Sequence, residues 1–383
     1  MGALRIEATH AQDWLARPAA PRWRAFDLQL TVYAAALVAI GLVMAYTNSG
    51  PDTLVTGSTF LRGLLWAGIA VVVFTVAAVF DYTWLRTFAW PLYALNLALL
   101  GVTLVVGDGV GGTQRWVAIG PLQFQFSELS KILTIVVLAN YLAAPSRRLD
   151  SFTTVLGACA LIAPSGVLVL MQPDLGTSLV FGAILVGTLF LSGVGLRWLG
   201  LLGGLAIAAL PILWTYVLRD YQKQRLLSFL DPAADPQGSG FQLLQSQVAV
   251  HAGGLMGTGL TNGAQGRLDL LPVESTDFVF AILAEELGFI GGLVVFGLFV
   301  ALLWRVLAAA WRSRDPFGLV MGAGIASMVL FQLVVNIGMV LGVMPITGIP
   351  LPFVTHGGAS LVSLALGLGL LQSINVHQSR AAW

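Results

Sequence analysis

The chain has 383 residues, 57% of them hydrophobic and only 10% charged, with a formal net charge of +1. Soluble domains usually carry about 25% charged residues, and here the apolar residues fall in runs long enough for the roughly 20-residue helix that crosses a bilayer core; a soluble domain is excluded. A single cysteine, Cys159, excludes an intrachain disulfide framework or thiolate metal site, and nothing in the charge balance calls for a nucleic-acid partner.

Residues 1–27 form a mixed polar tail with Arg5, Arg17, Arg22 and Arg24. A cleavable signal would place its apolar stretch earlier and follow it with a small-residue cleavage site, so a cytoplasmic tail and an uncleaved first helix are expected. Ten apolar stretches follow, at 28–47, 61–80, 88–106, 127–143, 153–170, 177–192, 198–217, 277–303, 317–341 and 357–375. The fourth contains Glu128 and Lys131, and the last is glycine-rich, so these two carry the weakest membrane signal. With both termini inside, all but seven of the 19 Lys and Arg residues fall on cytoplasmic ends; the seven are Arg62, Arg115, Lys131, Arg219, Lys223, Arg225 and Arg267. That asymmetry is what the positive-inside rule asks of ten helices. The expected fold is an all-α polytopic membrane domain over 28–376.

The outer side then holds irregular material: 107–126, a short turn at 171–176, the connection 342–356 and one large extracytoplasmic loop, 218–276, between helices 7 and 8. Within that loop D-P-A-A-D-P-Q-G-S-G (231–240) is a run of turn formers. F-Q-L-L-Q-S-Q-V-A-V (241–250) has the spacing of a short amphipathic helix at the membrane surface.

Several charges stand out. Asp277 sits where the loop meets the eighth helix. It reads either as first-turn charge favoured by the helix dipole or as a general base at the lipid surface. Glu285 and Glu286 follow two turns on; about 100° apart, they cannot both face one cleft, and Glu285 lies nearer the Asp277 face. Glu286 is expected to pair inside the bundle. Glu128 and Lys131 are spaced i, i+3, either neutralising each other or presenting Lys131 to phosphate. Arg115, Arg219, Lys223 and Arg225 form a positive outer rim suited to an anionic lipid head group. Asp174, in M-Q-P-D-L-G-T-S, reads as a cap for the sixth helix. His251 and His356 lack metal-pair spacing, and G-T-G-L-T-N-G (257–263) lacks the Lys-Ser/Thr ending of a phosphate loop.

The motifs G-G-T-Q-R-W (111–116), S-E-L-S-K (127–131), Q-P-D-L-G-T-S (172–178), F-L-D-P (229–232), Q-S-Q-V-A-V (245–250), L-P-V-E-S-T-D-F-V-F-A-I-L-A-E-E-L-G (271–288), N-I-G-M-V-L-G (336–342) and P-I-T-G-I-P-L-P-F-V-T-H-G-G-A-S (345–360) resemble the SEDS family of RodA, FtsW and SpoVE, in family order from the third span to the last. The form of F-L-D-P-A-A-D-P-Q-G-S-G-F-Q and of G-I-P-L-P is nearer RodA. Three positions depart from the family pattern: Phe126 for a usual Pro, Ala284 for a usual Gly, and His356 for a usual Tyr.

The resemblance implies a peptidoglycan glycosyltransferase that polymerises lipid II on the outer face of the cytoplasmic membrane. An undecaprenyl pyrophosphate leaves, and the acceptor is a sugar 4-hydroxyl. Inversion in one in-line displacement needs a base and charge stabilisation at the leaving group. By this resemblance Asp277 is the base. Lys131, oriented by Glu128, meets the pyrophosphate region, with Arg115 and Arg225 in support and Glu285 as a further substrate contact. The chemistry leaves room for a divalent cation, magnesium or manganese, bridging Asp277 and the pyrophosphate; the sequence itself displays none. The implied partners are a class B penicillin-binding protein (the crosslinking transpeptidase) and the elongation machinery of rod-shaped cells. The rival readings are a lipid II flippase, a division-type polymerase, or a scaffold that recruits the transpeptidase.

Overall fold

The computed structural model describes residues 23–49, 58–110, 113–119, 122–145, 147–235, 238–263, 276–355 and 357–377. After a short 3-10 turn at Trp23–Ala25 come α1 (Leu28–Asn48), α2 (Thr59–Val79), the short α3 (Thr83–Thr87) and α4 (Ala89–Val106). Strands β1 (Asp108–Val110), β2 (Thr113–Ile119) and β3 (Leu122–Phe124) precede α5 (Phe126–Leu142), α6 (Phe152–Met171), α7 (Leu175–Leu191) and α8 (Leu196–Ile212), which ends in a π-helical turn at Leu213–Val217. Then come α9 (Asp220–Leu230), α10 (Ser239–Gly253), α11 (Val279–Arg312), α12 (Pro316–Val340) and α13 (Gly358–His377).

Each of the ten expected spans corresponds to a helix whose ends fall within a few residues of the expected ones, except that α11 runs nine residues further. Among the described residues, eight helices are long and apolar enough to cross a membrane. The shorter α5 and α7 have 17 residues each. One end of the bundle is closed by contacts distant in sequence. Arg305 Nε donates to Asp27 Oδ2 at 2.9 Å, Arg86 pairs with Asp315 at 3.0 Å, and Arg197 with Asp150 at 2.6 Å. The sheet, α9 and α10 gather at the other end.

The two weakest membrane signals mark the centre of the bundle. Glu128, Lys131 and most of α5 are buried, as is nearly all of α13. A helix enclosed by other helices meets protein rather than lipid, so it tolerates charge if paired, and its glycines let neighbours come close. Gly369 illustrates this: an added Cβ would lie 2.6 Å from the Phe74 carbonyl of α2. At the opposite extreme α8 buries none of its side chains.

Segment 107–126, expected to be irregular, folds as a three-stranded antiparallel sheet in the order β1-β2-β3. Glycines flank its runs of β-forming residues in the sequence, and the register pairs Asp108 with Trp116 and Val117 with Phe124. The expected helix 241–250 forms as the longer α10. It is anchored on the bundle rather than merely surface-lying: Leu243, Ser246 and Ala249 are buried, and Ser246 Oγ donates to the Val340 carbonyl at 3.1 Å.

Candidate active site

At the end of the bundle that carries the sheet, β2, α5, α7, α9, the turn before α11, the 342–356 connection and α13 enclose a cavity of about 190 Å³. It is lined by Arg115, Trp116, Gln125, Glu128, Asp174, Thr177, Arg225, Asp277, Gly348, Pro350 and Ser360, among others. Four of the six residues singled out from sequence, Arg115, Glu128, Arg225 and Asp277, thus share one wall system although they come from four separate elements.

Asp277 stands in a 3-10 turn, Thr276–Phe278, that leads into α11. Its backbone is fixed by Asn336 near the end of α12. Asn336 Nδ2 donates to the Asp277 carbonyl at 2.8 Å and to the Ile349 carbonyl at 2.8 Å, tying the turn to the 342–356 connection. Gly348, with φ +76°, lies across from the carboxylate: a Cβ there would stand 3.5 Å from Asp277 Oδ2 and 3.7 Å from an Arg225 guanidinium nitrogen. The acidic group and the cation therefore flank the same glycine.

Arg225 is delivered by α9. It sits one turn after Tyr221, with its guanidinium 5.9 Å from that ring's centroid. The Tyr221 hydroxyl in turn donates to the Pro173 carbonyl at 2.7 Å. Arg115 converges on the same turn from β2, donating through Nε to the Gln172 carbonyl at 3.1 Å and through Nη2 to the Pro173 carbonyl. Its guanidinium lies 3.9 Å from Asp174 Oδ2.

Asp174 does two things at once. Oδ1 accepts from the Thr177 amide at 3.0 Å, capping α7 as expected, while Oδ2 accepts from Gln125 Nε2 at 3.1 Å and faces the cavity. Gln125 immediately precedes α5 without a side-chain cap bond, its amide turned to Asp174; next to it the Phe126 ring packs edge-on against Phe124 at 5.3 Å. This is the local geometry at the position where the family usually has proline. His356 lies outside the described residues.

Lys131 sits one turn deeper than Glu128 and is only 1% exposed. Its Nζ is 2.6 Å from Glu128 Oε2, outside hydrogen-bond angles, and finds no hydrogen-bond partner among the described residues. Glu128 therefore presents the pair to the cavity, with Lys131 as buried counter-charge. Glu285 is not brought to the cavity; its carboxylate lies against Gly263. Glu286 is buried and accepts from the Thr261 amide at 3.2 Å, matching the expectation that it bonds inside the fold.

Among the described residues no three His, Cys, Asp or Glu side chains come together to hold a metal ion. Among these residues the cavity offers no all-protein metal cage. Sequence reasoning passed over Asp174 as a cavity residue, along with Gln125, Trp116, Gly348 and Pro350. The signals available were the Q-P-D-L-G-T-S and P-I-T-G-I-P-L-P motifs and, for α9, the i, i+4 spacing of Tyr221 and Arg225.

Fold and site together define a polytopic helical membrane protein with a charged cavity at one end of its bundle. The chain belongs to the FtsW, RodA and SpoVE family, whose model, described as "Cell cycle protein", matches residues 28–380. It is 40% identical over 291 residues to the peptidoglycan glycosyltransferase MrdB of Escherichia coli K12, covering 75% of this chain and 77% of that one. A solved chain from "Structural coordination of polymerization and crosslinking by a peptidoglycan synthase complex" superposes with TM-score 0.79 at 34% identity, covering 94% of this chain and all of that one. The rod shape determining protein RodA of Thermus thermophilus superposes with TM-score 0.68 at 31% identity, covering 92% of this chain and 97% of that one.

Proposed function

We propose that this chain is an inverting peptidoglycan glycosyltransferase that polymerises lipid II at the outer face of the cytoplasmic membrane, serving cell elongation. The observation that carries the reading is the cavity that sets Asp277 beside Arg225, with Arg115 and Glu128 on the same walls. Family membership and the glycosyltransferase relatives supply the reaction class.

Asp277 takes the proton of the acceptor 4-hydroxyl as that oxygen attacks the donor's anomeric carbon. Its backbone is pinned by Asn336, so the carboxylate is held in place before the substrate arrives. Charge develops on the departing pyrophosphate, and the guanidinium groups of Arg225 and Arg115 are the cations placed to balance it; their planar forks suit phosphate oxygens. Glu128 borders the cavity and Lys131 tunes it from beneath. The leaving group carries the energy of the reaction, so no nucleotide is required. The resemblance of the fold to a chain of a peptidoglycan synthase complex supports a crosslinking partner, for which a class B penicillin-binding protein is the fitting kind.

The test is polymerisation of lipid II by the purified protein in detergent with no other synthase present. Asp277→Ala is expected to lower the rate by about 10²–10⁴-fold, the usual contribution of a general base. Glycan made equally well by that variant refutes the base assignment. Lipid II crossing vesicle membranes without polymer favours the flippase.

A further inference from the structure

α11 is a broken helix. Gly288, at φ +67° and ψ −167°, interrupts it eleven residues after Asp277. An unbroken helix would bond the amides of Phe289 and Ile290 to the carbonyls of Glu285 and Glu286. Instead, the stretch after α10 fills both vacancies from both sides. Phe289 and Ile290 donate to the carbonyls of Gly254 and Leu255 at 2.9 and 3.2 Å, while Thr258 and Gly259 donate to the carbonyls of Glu285 and Glu286 at 2.9 and 3.1 Å. The Thr258 hydroxyl adds a bond to the Glu285 carbonyl at 3.1 Å. The Thr261 amide bonds the buried Glu286 carboxylate.

The splice is tight. A Cβ on Gly253 would overlap the Ala284 carbonyl, one on Gly257 the Glu286 carbonyl, and one on Gly288 the Gly257 amide. Unsatisfied backbone groups inside a membrane cost several kcal/mol each, so a break of this kind persists only while its partner segment stays docked. The splice and Asn336 hold the two ends of the stretch that carries Asp277.

We propose that residues 254–261 are a positioning element for the reaction: by splicing into the break at Gly288 they set the angle of the catalytic half of α11 and so the place of the Asp277 carboxylate. The inference rests on Asp277 as the base. Eleven residues of helix make a lever of about 16 Å. A rotation of only about 4° at the joint then moves Asp277 by about 1 Å, and a misplacement of that size can cost about 100-fold in rate. Gly257 and Gly288 are positioning residues; neither lines the cavity.

The experiment combines hydrogen exchange with lipid II polymerisation on the full chain, wild type and Gly257→Ala. In wild type the amides of Thr258, Gly259, Phe289 and Ile290 are expected to be protected together. In Gly257→Ala they exchange faster as a group, kcat falls about 100-fold, and the KM for lipid II stays within about twofold. Gly288→Ala should do the same. Free exchange of these four amides in wild type overturns the proposal even if neither variant folds. So does wild-type kcat in a variant whose four amides have been released. If Asp277→Ala polymerises normally while the wild-type amides remain protected, the base assignment has failed and the splice has lost its catalytic object; the exchange pattern tells this failure from the others.

Discussion

Replacing Lys131 with methionine isolates the energetics of the buried pair. Lys131 and Glu128 are both nearly inaccessible, and their charged atoms are 2.6 Å apart. Removing one member of a buried pair usually costs about 3–5 kcal/mol, because the other charge is stranded. Lys131→Met is therefore expected to destabilise the protein by about 3–5 kcal/mol. The double variant Glu128→Leu/Lys131→Met removes both charges and should recover most of the loss. It should still fail to polymerise, because Glu128 borders the cavity. Thermal unfolding in detergent, beside a lipid II assay, measures both. A single variant as stable as wild type, or a double variant no more stable than the single one, refutes the charge-balance reasoning. A double variant with full activity refutes a role for Glu128 in the cavity.

Two further outcomes are expected. Asn336→Ala removes two 2.8 Å bonds to the carbonyls of Asp277 and Ile349. It should cost about 1–3 kcal/mol of stability and lower kcat more than it raises KM, checked by melting and by initial rates of polymerisation. Asp235 accepts hydrogen bonds from Ser228, Ser239 and the Gly240 amide. Desolvation is the largest single influence and pushes its carboxyl up, but the hydrogen bonds together outweigh it and hold the group below the usual carboxylate range. A lowered acid contributes stability above its unfolded pKa and loses it as pH falls. The junction of α9 and α10 should therefore be tight at pH 5 and above and loosen as pH drops below about 4, seen as faster amide exchange in 238–242; Asp235→Asn should remove that pH dependence.

The spans were legible in the sequence because crossing a bilayer is a local demand. Any stretch of about 20 apolar residues satisfies it, and the arginine asymmetry orders the stretches. The lining of the cavity was partly legible for a related reason: Asp277, Arg115, Arg225 and Glu128 are charges set beside apolar runs, where each needs a partner or a polar surface. What the sequence left open were features fixed by contacts between distant segments. Asp174 reads as a cap, and it is one, but only the arrival of Arg115 and Gln125 turns its second oxygen into part of the cavity wall. Lys131 reads as a cation for phosphate; its neighbours bury it and leave Glu128 at the surface of the cavity. The run A-E-E-L-G-F-I-G-G reads as continuous helix, and locally it could be one. It breaks at Gly288 because a segment some thirty residues earlier supplies the four backbone hydrogen bonds that make the break tolerable. Hydropathy is a property of each stretch of chain alone, whereas a buried hydrogen bond or ion pair belongs to two stretches that only the folded bundle brings together.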